Sequence, residues 1–475
     1  MGLVLRQSVK NSLVILFGYA IGGINTLFLY THFLQDDYYG LVVFLLSTAY
    51  LLMPLITFGI HYAVLRFYSG YKTEKERSAF LLFSLLIPLC IIFPLTAFFL
   101  SFYEGVVSWI SKDHVLIKDH VWLLLLLAIF AGYFEIFYAW TKVQLKSVFG
   151  NFIKELFARV CVFVLLFAVY FELLNSQQFI YAIVVVYGLR TLVMLWYALN
   201  LYRPSLEFKV PNNMQEVLLF SLFIIASGTS GSILLEIDKF MIPRHLDIEE
   251  VAYYTVGVFI ASVVSIPGKA MQQISTAVTA KQLSKGDFQE ITKLYQKSSV
   301  NLVVVGGLIL LLINLNIHDL YEIINKPGYR IGIPIVLMIS IAKLSELLLG
   351  TGNDIIQNSK YYRIYFYFSL TMALAVILLN HWLIPKIGIH GAALSTLVVM
   401  VSFNILKILF IYNKFKMSLF GMQTFKALLT IISIYSIFSF WEFRMNSYLN
   451  ILLKSILLML CYFYSIKFLK NYRST

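Results

Sequence analysis

Ionisable side chains inside long apolar runs are the residues of this chain best placed to do chemistry. At the centre of a bilayer each costs about 2.5 to 3.5 kcal/mol on insertion scales, so such groups usually face a polar path or a partner. Glu135 and Arg159 each lie about six residues from the same end of two successive runs, which at about 1.5 Å per residue gives a shared depth of roughly 9 Å. They are candidates for an ion pair across a helical hairpin. Lys343 and Glu346, spaced i, i+3, can share one helix face at a similar depth. Arg190 stands near the middle of another run, too deep for easy snorkelling. These five residues would give the inner half of a cavity polar walls with spare positive charge. A phosphorylated, hydrated cargo needs such walls, because water lost on entry must be replaced by polar groups. The planar donor fork of arginine also suits phosphate. Each acid–base pair has a plain alternative as a structural ion pair.

A second set lies at the ends of runs. Arg66, in FGIHYAVLRFYSG, and Lys269, just after Pro267, are placed to meet an anionic head group at a cytoplasmic mouth; the alternative is that both are ordinary positive-inside anchors. Glu236, Asp238 and Lys239 fall where a run approaches the outer surface and read as an outer gate or interfacial group, with ion coupling as the alternative. Lys407 and Lys454 lie near span ends and read as snorkelling lysines. Tyr38, Tyr39, Tyr253 and Tyr254 read as interfacial belt residues. The histidines show no metal-ligand spacing, and Cys90, Cys161 and Cys461 sit in apolar runs without a CxxC pattern. No metal, cofactor or disulfide is therefore expected.

The elements that must position these groups follow from composition. The chain has 475 residues, of which 60% are hydrophobic and 13% charged, and its mean hydropathy is +0.81. Membrane embedding is the direct reading. The net charge of +13 sits in short loops between apolar runs, which makes it a topology signal and argues against a nucleic-acid partner. About fourteen runs are long enough to span, predicting an all-α integral membrane protein. Six lie within 1–201, a polar strip at 202–216 carries Arg203, Pro204, Lys209 and Pro211, six more lie within 217–412, and a final pair occupies 413–475. With the N-terminus in the cytoplasm, about 24 Lys and Arg fall on the inner side and about 8 on the outer. Both termini are then cytoplasmic. Pro54, Pro88, Pro94, Pro267 and Pro334 interrupt or bound spans, and Gly18, Gly22 and Gly23 thin the first, as bent or closely packed helices require.

The halves echo each other. THFLQDDYYGLVVF near residue 31 recurs loosely as RHLDIEEVAYYTVGVF near residue 244. An even number of spans separates the copies, so they share an orientation, predicting two parallel six-helix lobes around a central cavity, plus two C-terminal helices.

Several segments carry a resemblance: LLEIDKFMI at 234–242 followed by EEVAYYTVG at 249–257, KGDFQEITKLY at 285–295, LIPKIGIHGAALST at 383–396, and RQS at 6–8 with YGLVVF at 39–44. In this order and spacing, nearly the whole chain resembles the bacterial polysaccharide flippases of the multidrug/oligosaccharidyl-lipid/polysaccharide exporter superfamily. The resemblance implies a monomeric transporter of the bacterial cytoplasmic (inner) membrane, without cofactor. Its implied cargo is a polyprenyl-pyrophosphate-linked oligosaccharide such as an O-antigen unit, carried from the inner to the outer leaflet among membrane lipids and polysaccharide assembly enzymes. A peptidoglycan-precursor flippase is the chemically nearest alternative. A multidrug cation antiporter would favour acidic groups where these are mostly basic. A membrane glycan polymerase or O-acyltransferase would need a large aqueous loop or a catalytic set; no loop exceeds about 30 residues and no such set is visible. The excess of basic candidates further predicts that membrane potential assists export without an ion-coupling carboxylate.

Overall fold

The computed structural model describes residues 2–112, 114–205, 210–211, 213–419, 421–441 and 445–471. For 2–10, 226–232 and a few other helical positions it describes the backbone alone. Lys209 and the side chains of Arg6, Lys281 and Lys285 thus lie outside the described residues.

All fourteen apolar runs are helical, and there is no strand among the described residues. The helices are α1 (Gly2–Ile24), α2 (Asp36–Ile56), α3 (Glu74–Ser101), α4 (Trp122–Val143), α5 (Ala158–Tyr170), α6 (Ser176–Leu201), α7 (Met214–Met241), α8 (Glu249–Ser262), α9 (Phe288–Asn314), α10 (Ile333–Leu348), α11 (Tyr362–Ile387), α12 (Ile389–Phe415), α13 (Met422–Phe438) and α14 (Ser447–Asn471). Eleven described segments are long and apolar enough to cross a membrane. Of the other three, the segment leading into α5 carries three charges, Lys154, Glu155 and Arg159, α7 is counted over Met214–Ile225 alone, and α13 has only 17 residues. The chain is a multi-pass membrane protein.

The described helices form two compact units, Met1–Ala252 and Tyr253–Thr475. Helix α7 packs along α2 in the first unit, and α13 packs on α9 in the second. Within the first unit, α4 lies between α2 and α6. Its sequence, WLLLLLAIFAGYFEIFYAWTKV, is apolar nearly all round, as a helix enclosed by others must be. In its most apolar window 61% is buried, against 39% for α3. Phe134 and Trp140 of α4 share a core with Phe80 of α3, Met194 of α6 and Val217 of α7.

The second run stops short of its expected end. Phe58 and Gly59 both take positive φ, 51° and 61°, separating α2 from a short helix, Ile60–Phe67. A Cβ on Gly59 would lie 2.9 Å from the Ile224 side chain and 3.0 Å from the Ser221 carbonyl of α7. Glycine is required there for conformation and for clearance. The turn sets the position of His61 and Arg66.

Two echo segments meet inside the first unit: a Cβ on Gly40 would collide with the Ile248 carbonyl. Tyr39, from the same segment, stacks on Tyr30 with ring centroids 4.4 Å apart. At 2% exposure Tyr39 is a core residue, as is Tyr254 at 1% in the second unit. Neither is an interfacial belt residue.

Within the second unit, α10 packs against α9 and α12, and α11 packs along α12. The connection from α10 to α11 folds inward as a short helix, Gly352–Asn358, with Asp354, Ile355 and Ile356 buried.

Candidate functional site

The C-terminal half of α4 carries Glu135, Tyr138 and Lys142 at i, i+3 and i+7, one face of the helix. The chain that enters α5 meets this face. Lys154 Nζ lies 2.6 Å from Glu135 Oε1, and the same ammonium is 5.6 Å from the centroid of the Tyr138 ring. Lys142 Nζ approaches that ring to 3.9 Å. Among the described residues no carboxylate lies within ion-pair distance of Lys142. Glu135 is enclosed, with 13% of its side chain exposed, whereas Lys154 is open to 36%.

Deeper along the helices, Arg190 of α6 is 3% exposed. Its guanidinium stands 3.8 Å over the Phe134 ring, and Nη1 donates to Tyr50 Oη at 3.2 Å. Its Nε is buried without a hydrogen-bond partner, and no described carboxylate pairs with it. Lys154 and Arg190 lie within electrostatic range of one another, and Glu135 within range of Lys142, Lys154 and His61. The result is a continuous polar group holding three cations and one carboxylate, with His61 hydrogen-bonded to Thr57 Oγ1 at 3.3 Å beside it. Such a group can hold a phosphoryl anion by charge and by directed N–H donors.

The expected pairing of Glu135 with Arg159 does not form. Counting residues from a helix end gives depth but not direction, and the two cations of this segment face different neighbours. Lys154 faces α4. Arg159 pairs with Glu155 at 3.5 Å and lies against α1, 5.5 Å from the centroid of Tyr19 and beside Gly18 and Gly22. The π turns at Ile153–Phe157 and at Asn25–Leu29, just after α1, adjoin this contact, where Asn25 Nδ2 donates to the Arg159 carbonyl at 2.8 Å.

In the second unit, Lys343 Nζ and Glu346 Oε2 are 3.5 Å apart. Lys407 of α12, 5% exposed, donates to Asn353 Oδ1 at 3.2 Å and lies within electrostatic range of Glu346. It is a protein-facing group, not a snorkelling one. Lys454 is likewise buried and engaged within the protein. Glu346 follows Glu135 by nearly the offset of the sequence echo, so each half carries a carboxylate beside cations on its fourth span.

The remaining candidates are placed apart from these groups. Arg66 is exposed, with its guanidinium 4.4 Å over Phe220 of α7. Lys269 is exposed in the first turn of helix Ile266–Lys285 and is engaged. Glu236 and Lys239 form an i, i+3 pair at 2.8 Å, and Asp238 beside them is buried and engaged. No cluster suited to a metal ion occurs among the described residues.

Set against known proteins, residues 8–278 match the model of a family described as polysaccharide biosynthesis proteins. The chain belongs to that family. A sequence search of curated proteins gives no match. Among solved structures, this polysaccharide biosynthesis family member is similar to the lipid II flippase MurJ in an inward closed conformation, with a TM-score of 0.75 at 12% identity over 98% of this chain and 100% of that one. It is also similar to an inward-facing multidrug-resistance MATE transporter of the MOP superfamily, with a TM-score of 0.60 at 12% identity over 88% and 95%. A third is a MOP superfamily transporter from Pyrococcus furiosus whose title describes a binding pocket of reverse polarity, with a TM-score of 0.57 at 11% identity over 87% and 95%. At these identities the likeness establishes the transporter fold of the family member.

Proposed function

We propose that this protein is a flippase that moves a polyprenyl-pyrophosphate-linked oligosaccharide from the inner to the outer leaflet of the bacterial cytoplasmic membrane, for surface polysaccharide assembly. The observation that carries this reading is the cation-rich group of Lys142, Lys154 and Arg190, in which one carboxylate answers three positive charges. The family match to polysaccharide biosynthesis proteins supports a glycan cargo, and the fold likeness to MurJ supports a lipid-linked one. Because the basic loops mark the cytoplasmic side, the group lies toward the inner leaflet, with both termini in the cytoplasm. The buried guanidinium of Arg190, with Nε unpaired, would bind phosphate oxygens, while Lys142 and Lys154 would take up the rest of the head-group charge. Arg66 and Lys269 would gather the head group at the cytoplasmic mouth, Lys343 and Glu346 would supply polar wall in the second unit, and Glu236, Asp238 and Lys239 would act at the outer gate. The protein would act as a monomer beside polysaccharide assembly enzymes.

A multidrug cation antiporter is disfavoured by the same charge balance, since organic cations would meet repulsion from three cations. The test is Arg190→Ala in a strain whose only copy is the variant. Loss of surface polysaccharide at normal protein level supports the reading, and normal surface polysaccharide removes Arg190 from the site. Parallel complementation of a strain lacking its peptidoglycan-precursor flippase distinguishes the two cargoes.

A further inference from the structure

The group around Lys154 contains an anion of its own. Glu135 Oε1 is 2.6 Å from Lys154 Nζ, the spacing of a charge-assisted hydrogen bond. Two further cations stand near it: Lys142 against the Tyr138 ring and Arg190 over Phe134. The nearby Glu155 is engaged by Arg159, so it does not alter the balance. Counting histidine as neutral, the group carries three positive charges and one negative. A pyrophosphate diester carries one strongly acidic oxygen on each phosphorus and hence two negative charges, which the group neutralises with Glu135 present.

A carrier must also let go. With Glu135 absent, three cations would face two anionic charges, and a head group held that strongly would leave slowly; conduction and transport both require binding weak enough to permit exit. We propose that Glu135 is a resident counter-anion: the arriving head group displaces it from Lys154, and its return to Lys154 assists release. This rests on the flippase reading and assigns Glu135 a place in the cycle which that reading leaves open. The geometry fits the exchange. The Lys154 side chain is 36% exposed and that of Glu135 13%, so the lysine is the more accessible member of the pair to an incoming anion. Lys142, which has no carboxylate partner among the described residues, stands one helix turn beyond Tyr138 to take up the displaced Glu135 or the second phosphate.

The test compares binding with turnover. The probe is citronellyl-diphospho-N-acetylglucosamine, a short-chain pyrophosphate diester, titrated against the purified full-length protein in detergent and read by native mass spectrometry. Glu135→Gln is expected to bind the probe about tenfold or more tightly, as removal of a like charge at close range in a partly buried site should give. The same variant, as the only copy in the host, is expected to lower surface polysaccharide. Because Glu135→Gln leaves Lys154 unpaired and could misfold, Lys154→Met is compared with the Lys154→Met/Glu135→Gln double variant. The double variant should bind more tightly than Lys154→Met alone. Equal or weaker probe binding on removal of the carboxylate, in both backgrounds, overturns the inference while wild-type binding keeps the flippase reading. Absence of probe binding by the wild type overturns that reading and the inference with it.

Discussion

Ser275 Oγ donates to Asp354 Oδ2 at 2.7 Å, and the next residue, Thr276, donates to Oδ1 at 2.8 Å. Asp354 is buried in the connection between α10 and α11, and both hydroxyls lie on helix Ile266–Lys285, which continues α8 past a 3₁₀ turn. One carboxylate thus fastens two connections of the second unit through both its oxygens. Asp354→Ala would leave the Ser275 hydroxyl without its acceptor, while Thr276 Oγ1 keeps the Gln272 carbonyl at 2.9 Å, and should destabilise the unit by about 1 to 3 kcal/mol. The expected readouts are a lowered unfolding temperature and faster amide exchange across 266–285. Asp354→Asn, which keeps one carbonyl acceptor, should lie between.

Gly18 makes the close contact between α1 and the Arg159 segment possible. A Cβ there would stand 2.6 Å from Arg159 Nη1 and 2.9 Å from the Glu155 carbonyl, whereas one on Gly22 would meet only the Arg159 side chain, at 3.3 Å. The backbone carbonyl cannot rotate away as a side chain can. Gly18→Ala should therefore cost about 1 to 3 kcal/mol through overpacking, and Gly22→Ala less. Thermal unfolding of the two purified variants checks the order, and equal losses would show that the carbonyl contact does not matter.

Arg190 is held by a ring face and a hydroxyl, which an ammonium cannot reproduce together. Arg190→Lys keeps the charge but gives up the planar stack over Phe134 and the fork that would span phosphate oxygens. A desolvated cation–π contact is worth about 2 kcal/mol. Arg190→Lys should retain folding and yet export surface polysaccharide well below the wild-type level, while Tyr50→Phe, which removes one hydrogen bond, should have the milder effect. Full export by Arg190→Lys would mean that only charge matters at this position.

The helices were legible in the sequence because hydropathy and loop charge are one-dimensional signals, and all fourteen runs are helical. Azimuth was not. Arg159 and Lys154 share a short segment, but facing α1 or α4 is decided by packing and by a π turn that no residue pattern announces. Lys407 departs from its expected place for a related reason: its distance from a span end suggests snorkelling, while Asn353 lies in a connection that folds back inward to meet it. The sequence does carry a signal at Glu135, Tyr138 and Lys142, whose i, i+3, i+7 spacing places them on one face of α4. Asp354 gave no comparable sign, since an acidic residue in a short connection is ordinary until its partners are known.

Membrane potential gives the last test of the proposed cargo. An anion moving outward across an inside-negative membrane gains about 2.3 kcal/mol per charge per 100 mV, so a head group with two charges gains about twice that. The cations of the first unit hold that charge during passage without themselves needing to cross, provided they stay on their helices. In proteoliposomes, an imposed inside-negative potential should accelerate movement of the citronellyl-diphospho sugar from the cytoplasmic to the opposite leaflet, and a reversed potential should slow it. Proton or sodium gradients at zero potential should have little effect. Transport indifferent to voltage but dependent on such a gradient and on Glu135 would instead make that carboxylate an ion-coupling group and would end the voltage-driven reading.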